Sequence, residues 1–318
     1  MNPVLPDEAV EFGAVAATAF AALGGVDAAR RAEDDPTVRA GEVAGALDAL
    51  GTGDLDPRAG PAALAAAAAL CEAAGRVALP YPVAAALLAG ADGRPFALVP
   101  DRAARVDHGD LFAEWRVARL GAPALLATPA GERLGTRLGP FVTDLAERGP
   151  APGPDDAGDA ALHLTLTACG VLGTADRALE LAVDHVTGRV QFGKPIAAFQ
   201  SVRFTLADTA VAVAGLRELA HFTLWRLADA AGAPGNALGD ALALRVHALD
   251  VTRSTLRTAQ QLHGAAGVCD EYDVSVLTRM VQPALRLPWG AERTAAELSG
   301  AVRRDGFAGL FDHGGAAG

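Results

Sequence analysis

Two long runs of apolar residues at helical spacing constrain the fold more than any other feature of the chain. Leu206, Val213, Leu216, Ala220, Leu224 and Leu227 recur at threes, fours and one seven, which places them on one face of an α-helix. Leu242, Val246, Leu249, Leu256 and Ala259 repeat the pattern after a connection at Gly232 to Gly239. A helix with such a stripe must bury it against another element, and long amphipathic segments in series pack most economically as a four-helix bundle. Immediately upstream, Gly149-Pro150-Ala151-Pro152-Gly153-Pro154-Asp155-Asp156 reads as a linker, because its proline density opposes helix and central strand alike.

The first part of the chain carries two other textures. From Asp7 to about Ala91, Ala-rich helical segments are punctuated by Gly24-Gly25, the Gly51 to Gly60 region and Pro80. Between Arg94 and about Gly149, short apolar runs such as Phe96 to Val99, Trp115 to Val117 and Ala124 to Leu126 alternate with turn residues, the signature of strands and hairpins. The expected architecture is mainly α: a helical region at 1–93, a reduced β-rich module at 94–150 and a helical bundle at 157–310. With 51% hydrophobic residues but only 5% aromatics, the core must be built from Ala, Leu and Val, which suits closely packed helices.

Charge and cysteine usage narrow the function. The formal net charge of −11 repels polyanions and no Lys/Arg run offsets it locally, so nucleic acid is not an expected partner. Cys71, Cys169 and Cys269 fit no zinc or redox spacing and read as buried small apolar residues in a reducing compartment. The acidic N-terminus has the wrong charge order for a secretory signal, and no apolar stretch reaches the ~20 residues a bilayer needs. The sequence is therefore read as soluble and cytoplasmic, with no membrane partner.

Two segments carry chemistry. The first is Arg189-Val190-Gln191-Phe192-Gly193-Lys194-Pro195-Ile196 with Phe199-Gln200, at the end of a helix that begins near Asp159; the second is Gln261-Leu262-His263-Gly264-Ala265-Ala266-Gly267 with Glu271-Tyr272-Asp273. A diphosphate calls for a guanidinium fork and unencumbered backbone, which Arg189 with Gln191, and Gly264, can supply. In order and in a spacing of about seventy residues, the two resemble the signatures R-x-x-F-G-x-P and Q-x-x-G-G-x-G of the acyl-CoA dehydrogenases. The resemblance is strong over Ala157 to Ala301 and architectural before that.

What the resemblance implies is an FAD-dependent α,β-desaturation of an acyl thioester carried on CoA or a carrier protein. Residues matching Arg189, Gln191 and Phe192 hold the ADP half of FAD in one subunit, and those matching Gln261 and Gly264 reach it from a neighbour. The chain is accordingly expected as one subunit of a homodimer, a tetramer or a heteromer with a homologous chain, with an electron-acceptor protein among its partners. No metal is implied. The family's base is a glutamate found in one of two places. One corresponds here to Leu287-Pro288-Trp289-Gly290, which holds no acid; the other is His163, followed by Leu164 where an arginine is usual.

His163 is the candidate catalytic residue, because imidazole titrates near neutrality and a general base works best with a pKa near the working pH. Glu271 and Asp273 read as structural acids, and His263 as a helix-end residue near the cofactor. The β-rich module is about half the usual length and has no match to the family's flavin-ring contacts, and Ala265 replaces the customary second glycine. This pattern resembles the short subunits of actinobacterial-type heteromeric acyl-CoA dehydrogenases, in which the partner chain completes the flavin site. The alternatives from other classes are a non-redox thioester enzyme and a flavin-free structural partner on the same fold.

Overall fold

The computed structural model describes residues 4–90, 92–133, 138–151, 157–229 and 234–305. Five helices come first: α1 (Asp7–Ala22), α2 (Asp27–Asp34), α3 (Ala44–Ala49), α4 (Pro61–Arg76) and α5 (Val83–Leu87). One turn of π-helix at Arg39–Val43 leads directly into α3. The composition explains α4. Proline opens it, where no intrahelical N–H is required, and the run that follows is nearly all alanine and leucine, so one helix buries nine of its sixteen residues.

The middle of the chain forms one five-stranded sheet from β1 (Phe96–Leu98), β2 (Arg105–Val106), β3 (Trp115–Ala118), β4 (Leu125–Arg133) and β5 (Thr143–Pro150), in the spatial order β1-β3-β4-β5-β2. The β1–β3 pair is parallel and the other pairs are antiparallel. The expected linker starts too early, because Gly149 and Pro150 pair with Leu126 and Leu125 as the end of β5. Proline is tolerated at this last ladder position, and the next N–H, from Ala151, donates to Ala124 O at 2.9 Å. Residues 152–156, the remainder of the expected linker, and 306–310 of the expected bundle lie outside the described residues.

The rest is helical. The helix α6 (Ala157–Gly188) ends in a two-residue hairpin, β6 (Val190–Gln191) and β7 (Lys194–Pro195). Then come α7 (Gln200–Asp229), α8 (Pro234–His263), α9 (Asp273–Met280), α10 (Gln282–Arg286) and α11 (Ala291–Asp305). Val213, Leu216, Ala220 and Leu224 of α7 and Leu242, Leu249, Leu256 and Ala259 of α8 are buried, as the periodicity requires. Two antiparallel hairpins in succession leave α6 and α8 parallel. No single helix among the described residues is long and apolar enough to cross a membrane.

A glycine seam joins the N-terminal helices to the bundle. A Cβ on Gly75 of α4 would stand 1.8 Å from Gly170 O of α6, and one on Gly173 would stand 2.0 Å from Glu72 O. Thr174 Oγ1 donates to Gly75 O at 2.9 Å across the same crossing. Around it, Arg76 pairs with Glu180 and Asp176, while Arg217 of α7 reaches Glu72 at 2.6 Å. One continuous core cluster accordingly runs from Phe20 and Leu70 through Phe96 to Leu164, Leu242 and Trp289, uniting helices, sheet and bundle.

Not every cysteine is buried as expected. Cys71 and Cys169 are, and burial pushes the Cys71 thiol up to about 12 and that of Cys169 upward as well. Cys269 is exposed, because it follows the short 3-10 turn Gly264–Val268 outside the bundle.

Candidate active site and cofactor surface

The seam forms the floor of a cavity of about 190 Å³. Cys71, Ala74 and Gly75 of α4 face His163, Gly170 and Thr174 of α6 across it, Ala97 and Leu98 of β1 and the segment Arg105 to His108 close one side, and Met280, Pro283 and Leu287 close another. The glycines of the seam bring the backbones of α4 and α6 into contact, so this side of the cavity is closed by main chain. The lining is mainly apolar with few polar groups, the character of a small-molecule site.

His163 stands on this wall, its ring edge-on to Phe96 with centroids 6.1 Å apart. Its Nδ1 is buried without a hydrogen-bond partner. Desolvation first and the positive charge of Arg245 second push the imidazole down to about 3, against a weaker opposing pull from Asp159. At neutral pH the ring is therefore uncharged and a weak base, shifted away from the near-neutral range of a free imidazole.

Three features of this site escaped the sequence. Arg245 of α8 is 1% exposed, and its Nη2 donates to the carbonyls of Ala284 at 3.2 Å, Leu287 at 2.6 Å and Trp289 at 2.9 Å. It fastens the stretch that holds no acid, whose Leu287–Pro288 bond is cis. Burial, then Arg253, pull the Arg245 guanidinium down to about 10. The second feature is Arg39, also buried, which makes a two-pronged pair with Asp110 at 2.9 and 2.6 Å and approaches His108 Nδ1 at 3.3 Å. The third is Asp107, beside His108 on the cavity wall. The cluster Asp107-His108-Gly109-Asp110 was a visible signal, two acids flanking a histidine in a turn, but Arg39 lies far away in a helical segment and gives no hint of joining it.

The cofactor candidates lie elsewhere, together at one end of the bundle. The rings of His185 on α6 and His263 on α8 stack with centroids 4.3 Å apart, which brings the two signature segments side by side. His263 Nδ1 donates to Ala259 O at 2.7 Å, and desolvation, then His263 and Arg189, lower the pKa of His185. Beyond this stack the β6–β7 hairpin turns through Phe192 and Gly193, both with positive φ, the conformation of a tight two-residue hairpin loop. Phe192 is 90% exposed at its tip.

Arg189, Gln191, Gln261 and Gly264 are all exposed, and Arg189 has no acidic partner among the described residues. A Cβ on Gly264 would meet nothing within 4 Å, so this stretch of backbone is open to a ligand. An unpaired guanidinium, two amides and an open glycine turn fit an anionic diphosphate, on a surface rather than in a cleft of this chain. Of the two structural acids, Asp273 opens α9 and pairs with Arg30 at 3.0 Å, while Glu271 is exposed. Among the described residues no group of three potential metal ligands occurs.

Residues 165–292 match the family model described as the acyl-CoA dehydrogenase C-terminal domain. Over 122 residues, 38% of this chain, the sequence is 32% identical to "Acyl-CoA dehydrogenase IpdE2" of Mycolicibacterium smegmatis, covering 36% of that protein. It is 34% identical over 122 residues to "3-sulfinopropanoyl-CoA desulfinase" of Paraburkholderia xenovorans, covering 36% of this chain and 30% of that one. The match thus spans about a third of these curated relatives. A chain of the ChsE4-ChsE5 complex from Mycobacterium tuberculosis superposes with a TM-score of 0.78 over 95% of this chain and 99% of its own length, at 17% identity.

Proposed function

We propose that this chain, which belongs to the acyl-CoA dehydrogenase family, is the flavin-holding subunit of a cytoplasmic oligomer that desaturates an acyl thioester between its α and β carbons. The observation that carries this reading is the clustering of Arg189, Gln191, Phe192, Gln261 and Gly264, exposed and uncommitted, at one end of the bundle. When bound, FAD supplies the hydride acceptor. The chain's own contribution is a charge-assisted fork from Arg189 and amide donors from Gln191 and Gln261 for the diphosphate, and a water-poor apolar cavity for the acyl group.

Flavin retention tests this. Arg189→Ala removes a fork worth on the order of 1.5–3 kcal/mol, so flavin affinity should fall roughly ten- to a hundredfold. Arg189→Lys keeps the charge without the two-pronged geometry and should recover only part of the loss. The flavin-to-protein ratio after gel filtration reads the outcome, and unchanged retention in Arg189→Ala would leave Arg189 an ordinary helix-terminal cation.

The flavin surface of one chain is open, which supports a partner. Val183, Val190, Phe192, Phe204, Val211, Val268 and Tyr272 are exposed on the bundle and its end segments, large apolar side chains that a partner chain would cover. We expect sedimentation at micromolar concentration to give at least twice the 32.2 kDa chain mass, or stable co-elution with a homologous dehydrogenase chain. Phe204→Asp should weaken that association. A monomer that pairs with nothing homologous would defeat it.

A second reading is non-redox thioester chemistry in the same cavity. It is favoured by the cavity being walled within one chain while neither customary base position holds a carboxylate. Colourless protein that added FAD does not turn yellow, yet which converts an acyl-CoA, would select it.

A further inference from the structure

We propose that Asp107 is the catalytic proton acceptor of the cavity, held in place by His108 and Arg39, at a position distinct from both customary glutamate sites. This rests on the reading of the cavity as an acyl-thioester pocket. Asp107 is the one acid among the described residues that line it. Arg39, whose charge acts on it, and Arg105 on the same wall are already committed: Arg39 to Asp110 through the two-pronged pair, and Arg105 to Asp144 at 2.6 Å. Neither forms an ion pair with Asp107, which lines a mainly apolar cavity.

Its orientation is fixed by a short chain of contacts whose polarity follows from chemistry. A guanidinium only donates, so His108 Nδ1, 3.3 Å from Arg39 Nη1, must accept. The imidazole proton therefore sits on Nε2, the nitrogen 3.5 Å from Asp107 Oδ2. Asp107 Oδ1 accepts from the His108 backbone N–H at 3.1 Å. His108 itself is held in the left-handed region at φ +53°, a conformation that is unfavourable for a non-glycine residue and persists only where the surroundings enforce it.

The enforcement is visible. The His108 ring stacks on Phe141 at 4.8 Å, Arg39 lies over that ring at 4.3 Å, and the His108 N–H also reaches Phe141 O at 3.0 Å. Strain of this kind next to a cavity is what positioning residues show.

The environment gives the carboxyl a suitable proton affinity. Burial raises Asp107 to about 7, outweighing the His108 N–H and the charge of Arg39, with Asp110 adding to the rise. Burial likewise holds His108 near 3, so the imidazole stays neutral and donates without competing for the proton. Of the other titratable groups on the cavity wall, His163 is also neutral, burial pushes the Cys71 thiol and the Tyr81 phenol upward so that both stay protonated, and Arg105 is paired with Asp144.

The step is a proton transfer. The α-C–H bond of the thioester breaks, its electron pair moves into the carbon–carbon bond as the thioester carbonyl becomes an enolate, and the proton passes to Asp107. Reversal returns a proton to the α carbon. No oxidant is consumed, so in D₂O the α position should exchange.

The test follows α-deuterium incorporation into saturated acyl-CoA thioesters, butanoyl to dodecanoyl, by mass spectrometry. The full chain is used with any partner it retains, and thioester binding is measured by calorimetry in parallel. Asp107→Asn should lower exchange by about a hundredfold or more while thioester affinity changes less than about threefold. Asp107→Glu, which keeps the acid, should restore part of the exchange and guards against a folding artefact. The wild-type rate should climb with pH and level off above about pH 7, and Arg39→Lys should move that profile by loosening His108. Wild-type exchange in a thioester-bound Asp107→Asn chain, or a wild type that binds thioesters without exchanging them, overturns the assignment and leaves the pocket reading intact. A wild type that binds none of the thioesters overturns the pocket reading, and this inference with it.

Discussion

Gly75→Ala is expected to destabilise the chain by ~3 kcal/mol or more, among the largest effects of any single methyl group in this molecule. The added Cβ would stand 1.8 Å from Gly170 O, and the atom it meets is backbone in the middle of a 32-residue helix, so no side-chain rotation relieves the clash. The two helices must part, which also lengthens the 2.9 Å bond from Thr174 Oγ1 to Gly75 O and opens the floor of the cavity. Alanine's better helix propensity returns only ~0.5–1 kcal/mol. Gly45→Ala serves as the control, since its Cβ meets nothing within 4 Å and it should be neutral or mildly stabilising. Urea unfolding decides: the midpoint of Gly75→Ala should drop with its slope unchanged, and a shift as small as the control's would sink the close-crossing account.

Acid should be nearly as damaging, and the proton count gives the sign. His108 and His163 have folded values near 3 against an ordinary 6.5, so between those limits the unfolded chain binds two protons that the folded chain refuses. Asp107 acts the other way: raised to about 7 from 3.8, it binds a proton in the folded chain that the unfolded chain releases. From pH 6.5 down to about 4 the unfolded state therefore holds one net proton more, and stability falls by about 1.4 kcal/mol per pH unit, on the order of 3 kcal/mol across the window. Glu180 adds in the same direction, because although burial pulls it up, Arg76 holds it below its ordinary value. Asp107→Asn should make the slope about twice as steep. Stability that is flat in pH over this window would show that these groups are not buried as described.

Much of this architecture was legible because it is periodic. The stripes of α7 and α8, the strands at Phe96, Trp115 and Leu125, and the paired signature segments are all local patterns, and each lies where its spacing placed it. What was not legible is long-range. Gly75, Gly170 and Gly173 look like ordinary small residues in helices, and nothing local says that two carbonyls will press against them. The same holds for the polar groups of the cavity. Arg39 meets Asp110 across 71 positions and Arg245 meets Trp289 across 44, partnerships that only the packed chain creates. His163 was found by its position relative to Gly170, but its low proton affinity depends on burial and on Arg245, neither of which a pattern reports.

The seam also decides how the cavity can choose what it admits. Helices in contact through bare backbone cannot slide or roll past each other without losing the crossing, so the Cys71 to Gly75 and Gly170 to Thr174 side of the cavity behaves as a fixed wall. Any adjustment to a bulkier or longer occupant falls to the opposite side, where Met280 contributes an unbranched, adaptable side chain beside Leu287. Selection among occupants would then resemble a lock with one movable ward: the depth set by stone, the width by a single pliable edge.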